Sequence, residues 1–132
     1  MLRNIPSILS PDLLHSLRAM GHGDDIVIAD ANFPSTALGQ RCHRLDGISA
    51  TDTLQAILSL LVMQVVGDPG AVPPVVTEFQ NIITQTADTP VQIARLERFD
   101  FYARAKSAFA IVQTGETRLY GNIILKKGVI GT

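Results

Sequence analysis

The sequence predicts an α/β fold: a single layered domain over residues 1–132 in which helices flank a mixed or mostly parallel sheet, as in a ribose-pyranase-like fold. Short apolar runs rich in β-branched residues alternate along the chain with segments of helical periodicity, which is typical of this class. A length of 132 residues suits one domain. The apolar content of 46% suffices for a core without metal or disulfide crosslinks.

The first predicted helix has both of its end signals in the sequence. Ser10 is expected as its N-cap, Pro11 as its first residue, and Gly21 at its end. The run over residues 25–30 is then predicted as a strand buried on both faces, because Ile-Val-Ile-Ala is apolar without alternation. Residues 32–35 are expected to form a turn or loop.

The central region predicts one further strand and two helices. Residues 40–45 favour a partly exposed strand, and Ser49 or Thr51 caps a helix whose leucines and isoleucine recur at helical spacing. Two glycines and three prolines predict a loop over 67–74. A helix over 75–87 is expected to follow it.

The last third of the chain completes the alternation. The remaining elements are predicted strands over 91–96, 109–113 and 123–125, and a helix that Asp100 caps and that continues through Lys106. Lys126 and Lys127 are expected at the solvated end of the final strand.

Charge and cysteine content exclude several classes of function. Eleven Lys and Arg against twelve Asp and Glu give a net charge of −1, so there is no basic surface to neutralise nucleic-acid phosphates. Cys42 is the single cysteine and no metal-ligand spacing is found, so we expect no metal and a reducing, cytoplasmic location. No apolar run is long enough to span a bilayer, and the start of the chain lacks the apolar core of a secretory signal.

His22 lies between two glycines, at the junction of the first helix and the first strand. Glycine neighbours leave the imidazole uncovered, and a free pKa of about 6.5 suits proton transfer near neutral pH. The alternative is a tight turn in which His22 is an ordinary exposed residue.

Two further polar clusters lie at predicted strand ends. Asp30 follows the first strand, where open α/β sheets collect their ligands and a carboxylate can accept hydrogen bonds from sugar hydroxyls. Tyr120, Gly121 and Asn122 precede the last strand and offer a phenol, close backbone approach and an amide. A turn cap at Asp30 and a plain loop-to-strand junction at residues 120–122 are the structural alternatives.

In order along the chain, these clusters resemble the L-fucose mutarotase and D-ribose pyranase family. The segments that carry the resemblance are Leu-Ser-Pro-Asp-Leu-Leu at 9–14, Met-Gly-His-Gly-Asp-Asp-Ile at 20–26, Ala-Asp-Ala-Asn-Phe-Pro at 29–34, Arg-Leu-Asp-Gly at 44–47, Arg-Phe-Asp-Phe-Tyr-Ala-Arg-Ala-Lys at 98–106, Thr-Gly-Glu at 114–116, and Tyr-Gly-Asn-Ile-Ile-Leu-Lys-Lys-Gly-Val at 120–129. Each segment alone is weak, but the ordered set spans nearly the whole chain and is highly specific.

The resemblance implies an isomerase that needs no cofactor and interconverts the α and β anomers of a monosaccharide. It implies that His22 is the proton donor and that Asp30, Arg98, Tyr120, Gly121 and Asn122 contact the sugar. L-fucose is the expected substrate, because the ribose branch of the family tends to have histidine where Arg98 stands. Asn32 departs from the bacterial fucose enzymes, which often have histidine there. D-ribose pyranase activity and a non-catalytic sugar-binding module are the alternatives.

The predicted strand between His22 and Asp30 separates the two residues. Five extended residues at about 3.3 Å each give roughly 16 Å or more, which exceeds the size of a monosaccharide. Either the loops fold back, or neighbouring subunits complete each site. The resemblance implies the second arrangement, a ring-like homo-oligomer such as a decamer, which also suits the high apolar content.

Overall fold

The fold is a six-stranded sheet with helices on both faces, seen in a computed structural model that describes residues 2–61, 63–69, 74–86 and 95–130. In chain order the elements are α1 (Pro11–Ala19), β1 (Asp25–Ala29), α2 (Ser35–Leu38), β2 (Cys42–Leu45), α3 (Ala50–Leu58), β3 (Met63–Pro69), α4 (Pro74–Thr86), β4 (Arg95–Leu96), α5 (Arg98–Ser107), β5 (Ala110–Thr114) and β6 (Ile123–Lys127).

The strand order is β2-β5-β1-β6-β3-β4. β1 and β2 run parallel to β5, β3 runs parallel to β4, and β6 runs antiparallel to both β1 and β3. The sheet is therefore mixed, and the predicted α/β class is confirmed. β1 is a central strand of the sheet. The residues just before β1 and those just after it therefore lie at opposite ends of this strand.

The two faces of the sheet carry separate apolar clusters. Alternate residues of the central strands point to opposite faces, so Ile26 and Ile28 pack under α1, α3 and α4, while Val27 and Ala29 pack under α2 and α5. This explains why β1 shows no polar alternation in sequence: both of its faces are buried. Among the helices of the described residues, none has the length and apolar content to cross a membrane.

The first half of the chain follows its sequence signals closely. α1 begins after Ser10, whose side-chain oxygen accepts a hydrogen bond from the N–H of Leu13, and Pro11 is its first residue. Of the two predicted caps for α3, Ser49 is the one used, because its hydroxyl oxygen accepts from the N–H of Asp52. The short helix α2 was not predicted and occupies part of the expected turn.

The loop predicted over 67–74 is wrong at its start, because β3 continues through Pro69. Backbone pairing with β6 carries this strand, and the register shifts between Val65 and Gly67. An irregular strand of this kind tolerates glycine and proline, which the sequence pattern treats as breakers. Residues 70–73 of the predicted loop and Ala87 of the predicted helix lie outside the described residues.

Where the structure describes them, the elements of the last third are confirmed with two corrections. The cap of α5 is Glu97, whose carboxylate accepts from the N–H of Phe99, and Asp100 lies inside the first turn instead. β6 extends to Lys127, so Lys126 and Lys127 belong to the strand and are only partly exposed. Of the predicted strand over 91–96, positions 91–94 lie outside the described residues.

Candidate active site

A pocket of about 400 Å³ opens at the carboxyl end of β1. This volume falls within the range of about 300–1,000 Å³ that small-molecule sites occupy. Three segments meet there: the residues after β1, the start of α5, and the loop before β6. The lining residues are Asp30, Asn32, Phe33, Glu97, Arg98, Tyr102, Leu119, Tyr120 and Asn122.

Asp30 and Asn122 form a reciprocal pair at the base of this pocket, and both are buried. The side-chain oxygen of Asn122 accepts from the N–H of Asp30 at 2.7 Å, and its amide nitrogen donates to Oδ2 of Asp30 at 3.2 Å. The N–H of Asn32 donates to Oδ1 and the N–H of Gly121 donates to Oδ2. A carboxylate has about four acceptor positions, so roughly one is left for a donor group of a ligand.

The burial of Asp30 and Asn122 is the feature of this pair that the sequence did not predict. Asp30 and Asn122 lie at strand ends, as expected, and both are buried there; their hydrogen bonds hold the segment after β1 to the segment before β6. Burial of these two polar side chains is tolerated because each satisfies hydrogen-bonding groups of the other.

The loop before β6 brings its backbone unusually close to Asp30. A methyl group added at Gly121 would lie 2.8 Å from Cγ of Glu116 and 3.4 Å from Cβ of Asp30, so this position requires glycine. Tyr120 has a φ of +61°, in the left-handed region, and its ring is half exposed above the pocket. Such a conformation in a non-glycine residue persists only where the surroundings impose it, and it is common at ligand sites.

A buried carboxylate supports this loop from below. Glu116 accepts from Nε of Arg118 at 2.7 Å and from the backbone N–H of Ala50 at the start of α3. Arg118 also reaches Glu78 of α4 at 2.8 Å. The hydrogen bond from Arg118 holds the pKa of Glu116 below its usual value, against the opposing effect of burial.

Arg98 forms the opposite wall of the pocket with Tyr102, one helical turn further along α5. Nε and Nη2 of Arg98 each lie 3.3 Å from the hydroxyl oxygen of Tyr102, and this contact raises the pKa of the exposed guanidinium. The Tyr102 ring packs edge-on against Phe33 with 5.3 Å between centroids. Arg98 is therefore charged, and its guanidinium is oriented by the hydroxyl of Tyr102, whose ring is in turn packed against Phe33.

His22 does not line this pocket. It lies in the exposed turn between α1 and β1, at the amino end of the strand whose carboxyl end bears Asp30. The five residues of β1 lie between them, about 16 Å at the usual rise per residue. Since β1 is the regular central strand, the loops do not fold back to bring the two residues together.

The other two histidines lie near each other on the β2 side of the sheet. Nε2 of His43 is 2.7 Å from the hydroxyl of Ser16, and partial burial lowers the pKa of His43. His15 is exposed on α1. Across the part of the chain that the structure describes, no group of three or more His, Cys, Asp or Glu side chains is arranged to hold a metal ion.

The structure thus brings Asp30, Arg98, Tyr120 and Asn122 together, places Gly121 just behind them, and leaves His22 apart. Sequence reasoning missed the aromatic and apolar wall of Phe33, Tyr102 and Leu119. The spacing of four residues between Arg98 and Tyr102 on a predicted helix was a usable signal for one part of it. Phe33 and Leu119 carry no such local signal.

A family model described as the RbsD / FucU transport protein family matches residues 3–130 of this chain. The chain belongs to this family. The family predicted from the ordered motifs is therefore confirmed.

Individual members of the RbsD / FucU family match over nearly the full chain. Fucose mutarotase from Homo sapiens is 44% identical over an alignment 146 residues long, gaps included. The alignment covers 98% of this chain and 94% of that protein. A crystal structure of the fucose mutarotase from Streptococcus pneumoniae in complex with L-fucose has a TM-score of 0.88 and 41% identity, covering 98% of this chain and 100% of the other.

Similarity extends to the ribose branch of the family at a lower level. The structure of Bacillus subtilis RbsD complexed with D-ribose has a TM-score of 0.79 and 26% identity, covering 99% of this chain and 100% of that chain. Both branches therefore share the fold of this chain, and the fucose relatives share more of its sequence.

Proposed function

We propose that this protein is a mutarotase that interconverts the α and β anomers of L-fucose. The observation that carries the proposal is the pocket at the carboxyl end of β1, in which a buried carboxylate, a charged guanidinium and a half-exposed phenol converge. Such a set offers acceptors and donors to several hydroxyls of one monosaccharide. The 44% identity to fucose mutarotase over nearly the whole chain supports the assignment of the sugar.

The aromatic wall suits the same substrate. L-fucose has a methyl group in place of a terminal hydroxymethyl group, so one edge of the sugar is apolar. Phe33, Tyr102 and Leu119 give the pocket an apolar side opposite the polar base at Asp30. Arg98 stands where the ribose branch tends to have histidine, which favours fucose over ribose.

The chemistry requires one proton given and one taken. An anomeric carbon is a hemiacetal carbon, and it changes configuration when the ring opens to an aldehyde, the carbonyl rotates, and the ring closes again. Opening transfers a proton to the ring oxygen while the anomeric hydroxyl loses one; closing reverses both transfers. A histidine near its pKa can act in either direction, and such acid–base assistance typically contributes about 10²–10⁴-fold. His22 is the residue assigned to this role.

For His22 to reach a sugar, a second copy of the chain must contribute it. The pocket of one chain contains no histidine among its lining residues, and the rigid strand β1 keeps its own His22 at the far edge of the sheet. We therefore infer a ring-like homo-oligomer, such as the decamer that the family resemblance implies. In this ring, the end of one subunit that bears His22 covers the pocket of the next subunit. A repeated contact between two different surfaces closes into a ring.

Exposed apolar side chains at both edges support this contact. Phe99 and Leu119 flank the pocket with 74% and 66% of their surface exposed. Val129 and Ile130 follow β6 at the His22 edge and are also exposed. Apolar side chains grouped at two edges are the expected components of an interface.

The lone thiol of Cys42 fits a cytoplasmic location, where thiols stay reduced.

The test is NMR saturation transfer between anomers, run in parallel on L-fucose and D-ribose. We expect exchange of L-fucose anomers well above the uncatalysed rate, and weaker exchange with D-ribose. Faster exchange with D-ribose would assign the chain to pyranase activity instead. Binding of L-fucose with no acceleration of either sugar would identify a sugar-binding module and overturn the mutarotase proposal.

A further inference from the structure

The turn that carries His22 is built onto the last residue of β6. The N–H of Gly23 donates to the carbonyl of Lys127 at 2.9 Å, and the N–H of Lys127 donates to the carbonyl of Asp24 at 2.8 Å. The ammonium group of Lys127 then reaches back to α1, where it donates to the carbonyls of Leu17 at 2.8 Å and Met20 at 2.6 Å. These carbonyls have no partner within the helix, and a cation suits the negative end of the helix dipole.

Lys126 holds the other side of the same turn. Its ammonium group donates to the carbonyl of Gly23 at 3.1 Å and to Oδ1 of Asp25 at 3.0 Å. The carboxylate of Asp25 is also bound by Arg104 of α5, with 2.8 Å between Nε of Arg104 and Oδ2 of Asp25. Lys127 thus binds the carbonyl of Met20, just before the turn, and Lys126 binds the carbonyl of Gly23, at the end of the turn.

His22 lies between these two fixed points, in a turn that Asp24 also closes, since its carboxylate accepts from the N–H of Gly21 at 2.7 Å. Within the described residues the side chain of His22 makes no hydrogen bond or ion pair, and its neighbours Gly21 and Gly23 have no side chains to restrain it. Gly23 has a φ of +88°, a conformation that glycine adopts freely. The direction of the imidazole is therefore determined by the backbone of the turn, which Asp24 closes from within and the two lysines anchor to β6 and α1.

We propose that Lys127 and Lys126 are positioning residues for His22. The inference rests on the proposed function, since it assigns His22 the proton transfer to the sugar. A general acid must sit within about 3 Å of the atom it protonates, and a displacement of about 1 Å can lower the rate roughly 100-fold. Neither lysine lines the pocket of its own chain, and both act through the backbone of the His22 turn, so we expect them to change the rate of ring opening more than sugar affinity.

The first test is Lys127→Met, which keeps the aliphatic stem and removes the donor. We expect kcat for L-fucose anomer exchange to fall about ten- to hundredfold while KM changes less than about twofold. Lys127→Arg, which restores a cation and donors to the helix carbonyls, should recover most of kcat. Lys106→Met, at an exposed lysine of α5, is the matched control and should behave as wild type.

Lys126→Met is measured beside it, because it leaves the α1 carbonyls bound and is the milder change. We expect kcat to fall about threefold or more, again with KM unchanged. The position of His22 is followed independently by the NMR signals of its imidazole, which should shift in both lysine variants and not in Lys106→Met. Light scattering checks that each variant has the assembly state of the wild type.

Two failures are distinguishable. If the wild type exchanges anomers and folded Lys127→Met and Lys126→Met keep its kcat, the positioning role is wrong. If loss of activity comes with an equal rise in KM or with a smaller assembly, the lysines are structural and the proposal is also overturned. A wild type that does not exchange anomers would instead reject the proposed function, while the imidazole signals would still report whether the lysines position His22.

Discussion

The two ends of β1 are built in opposite ways. At the carboxyl end, Asp30 is buried and held by groups more than 90 positions away in the sequence, the backbone of Gly121 and the amide of Asn122. At the amino end, His22 is exposed and stands in a turn that local contacts of Asp24 and two lysines restrain. The proposed function assigns sugar binding to the buried end and proton transfer to the exposed end, two separate structural units. Mutations should therefore separate binding, rate and stability.

The largest effect is expected at the exposed end. His22→Ala should reduce anomer exchange by about 10²–10⁴-fold, to near the uncatalysed rate, because the acid–base group is lost. The free energy of unfolding should change by no more than about 0.5 kcal/mol, as is usual for an exposed residue. Saturation-transfer NMR and thermal unfolding measure the two quantities. His15→Ala, at another exposed histidine, is the control, and equal exchange in both variants would remove His22 from the mechanism.

The reverse pattern is expected at the buried end. Asn122→Ala leaves the N–H and part of the carboxylate of Asp30 without partners, so it should destabilise the protein by about 1–3 kcal/mol. Affinity for L-fucose should fall as well, since the pair forms the base of the pocket. Chemical denaturation and titration calorimetry check both effects. Asn32→Ala, at an exposed asparagine of the same pocket, should leave stability nearly unchanged.

Arg98 offers an intermediate case, because it lines the pocket and is exposed. Arg98→Ala should raise the Kd for L-fucose about tenfold, the usual loss for a hydrogen bond to a charged donor, with little effect on stability. Calorimetric titration of the variant measures the change. An unchanged Kd would mean that the guanidinium faces solvent or a neighbouring subunit instead of the sugar.

The smallest effect concerns pH. Because the hydrogen bond from Arg118 lowers the pKa of Glu116 in the folded protein, the carboxylate stabilises the fold above its unfolded-state pKa of about 4.5. That contribution is lost as the pH falls through the lower folded-state pKa. Glu116→Gln should therefore be less stable than wild type at pH 7 and lose less stability between pH 7 and pH 3. Parallel acid-induced losses in the two proteins would contradict this role.

Local signals were sufficient for some parts of the fold and not for others. Ser10 and Pro11 mark the start of α1 through contacts within one turn, so sequence alone located it. β3 was missed because its irregular backbone depends on pairing with β6, about sixty positions later, and not on its own residues. The cap of α5 was misplaced because aspartate is a preferred N-cap type and glutamate is not, whereas the helix begins after Glu97 and Asp100 lies in its first turn.

The site shows the same division. The residue types of His22, Asp30 and residues 120–122 indicated chemistry without a structure, and the resemblance added Arg98. The burial of Asp30 and Asn122 could not be predicted, because it follows from the meeting of two segments at one edge of the sheet. Lys126 and Lys127 likewise resemble solvated lysines in sequence, and only their contacts with the His22 turn distinguish them.

Subunit mixing can show whether His22 of one subunit serves the pocket of another. His22→Ala and Tyr120→Ala proteins, each inactive alone, are dissociated, mixed in equal amounts and reassembled. Random assembly should give about one quarter of the sites an intact His22 and an intact Tyr120, so about a quarter of wild-type exchange should return. No recovery in a reassembled oligomer, or a wild type that is monomeric by light scattering, would contradict the shared site.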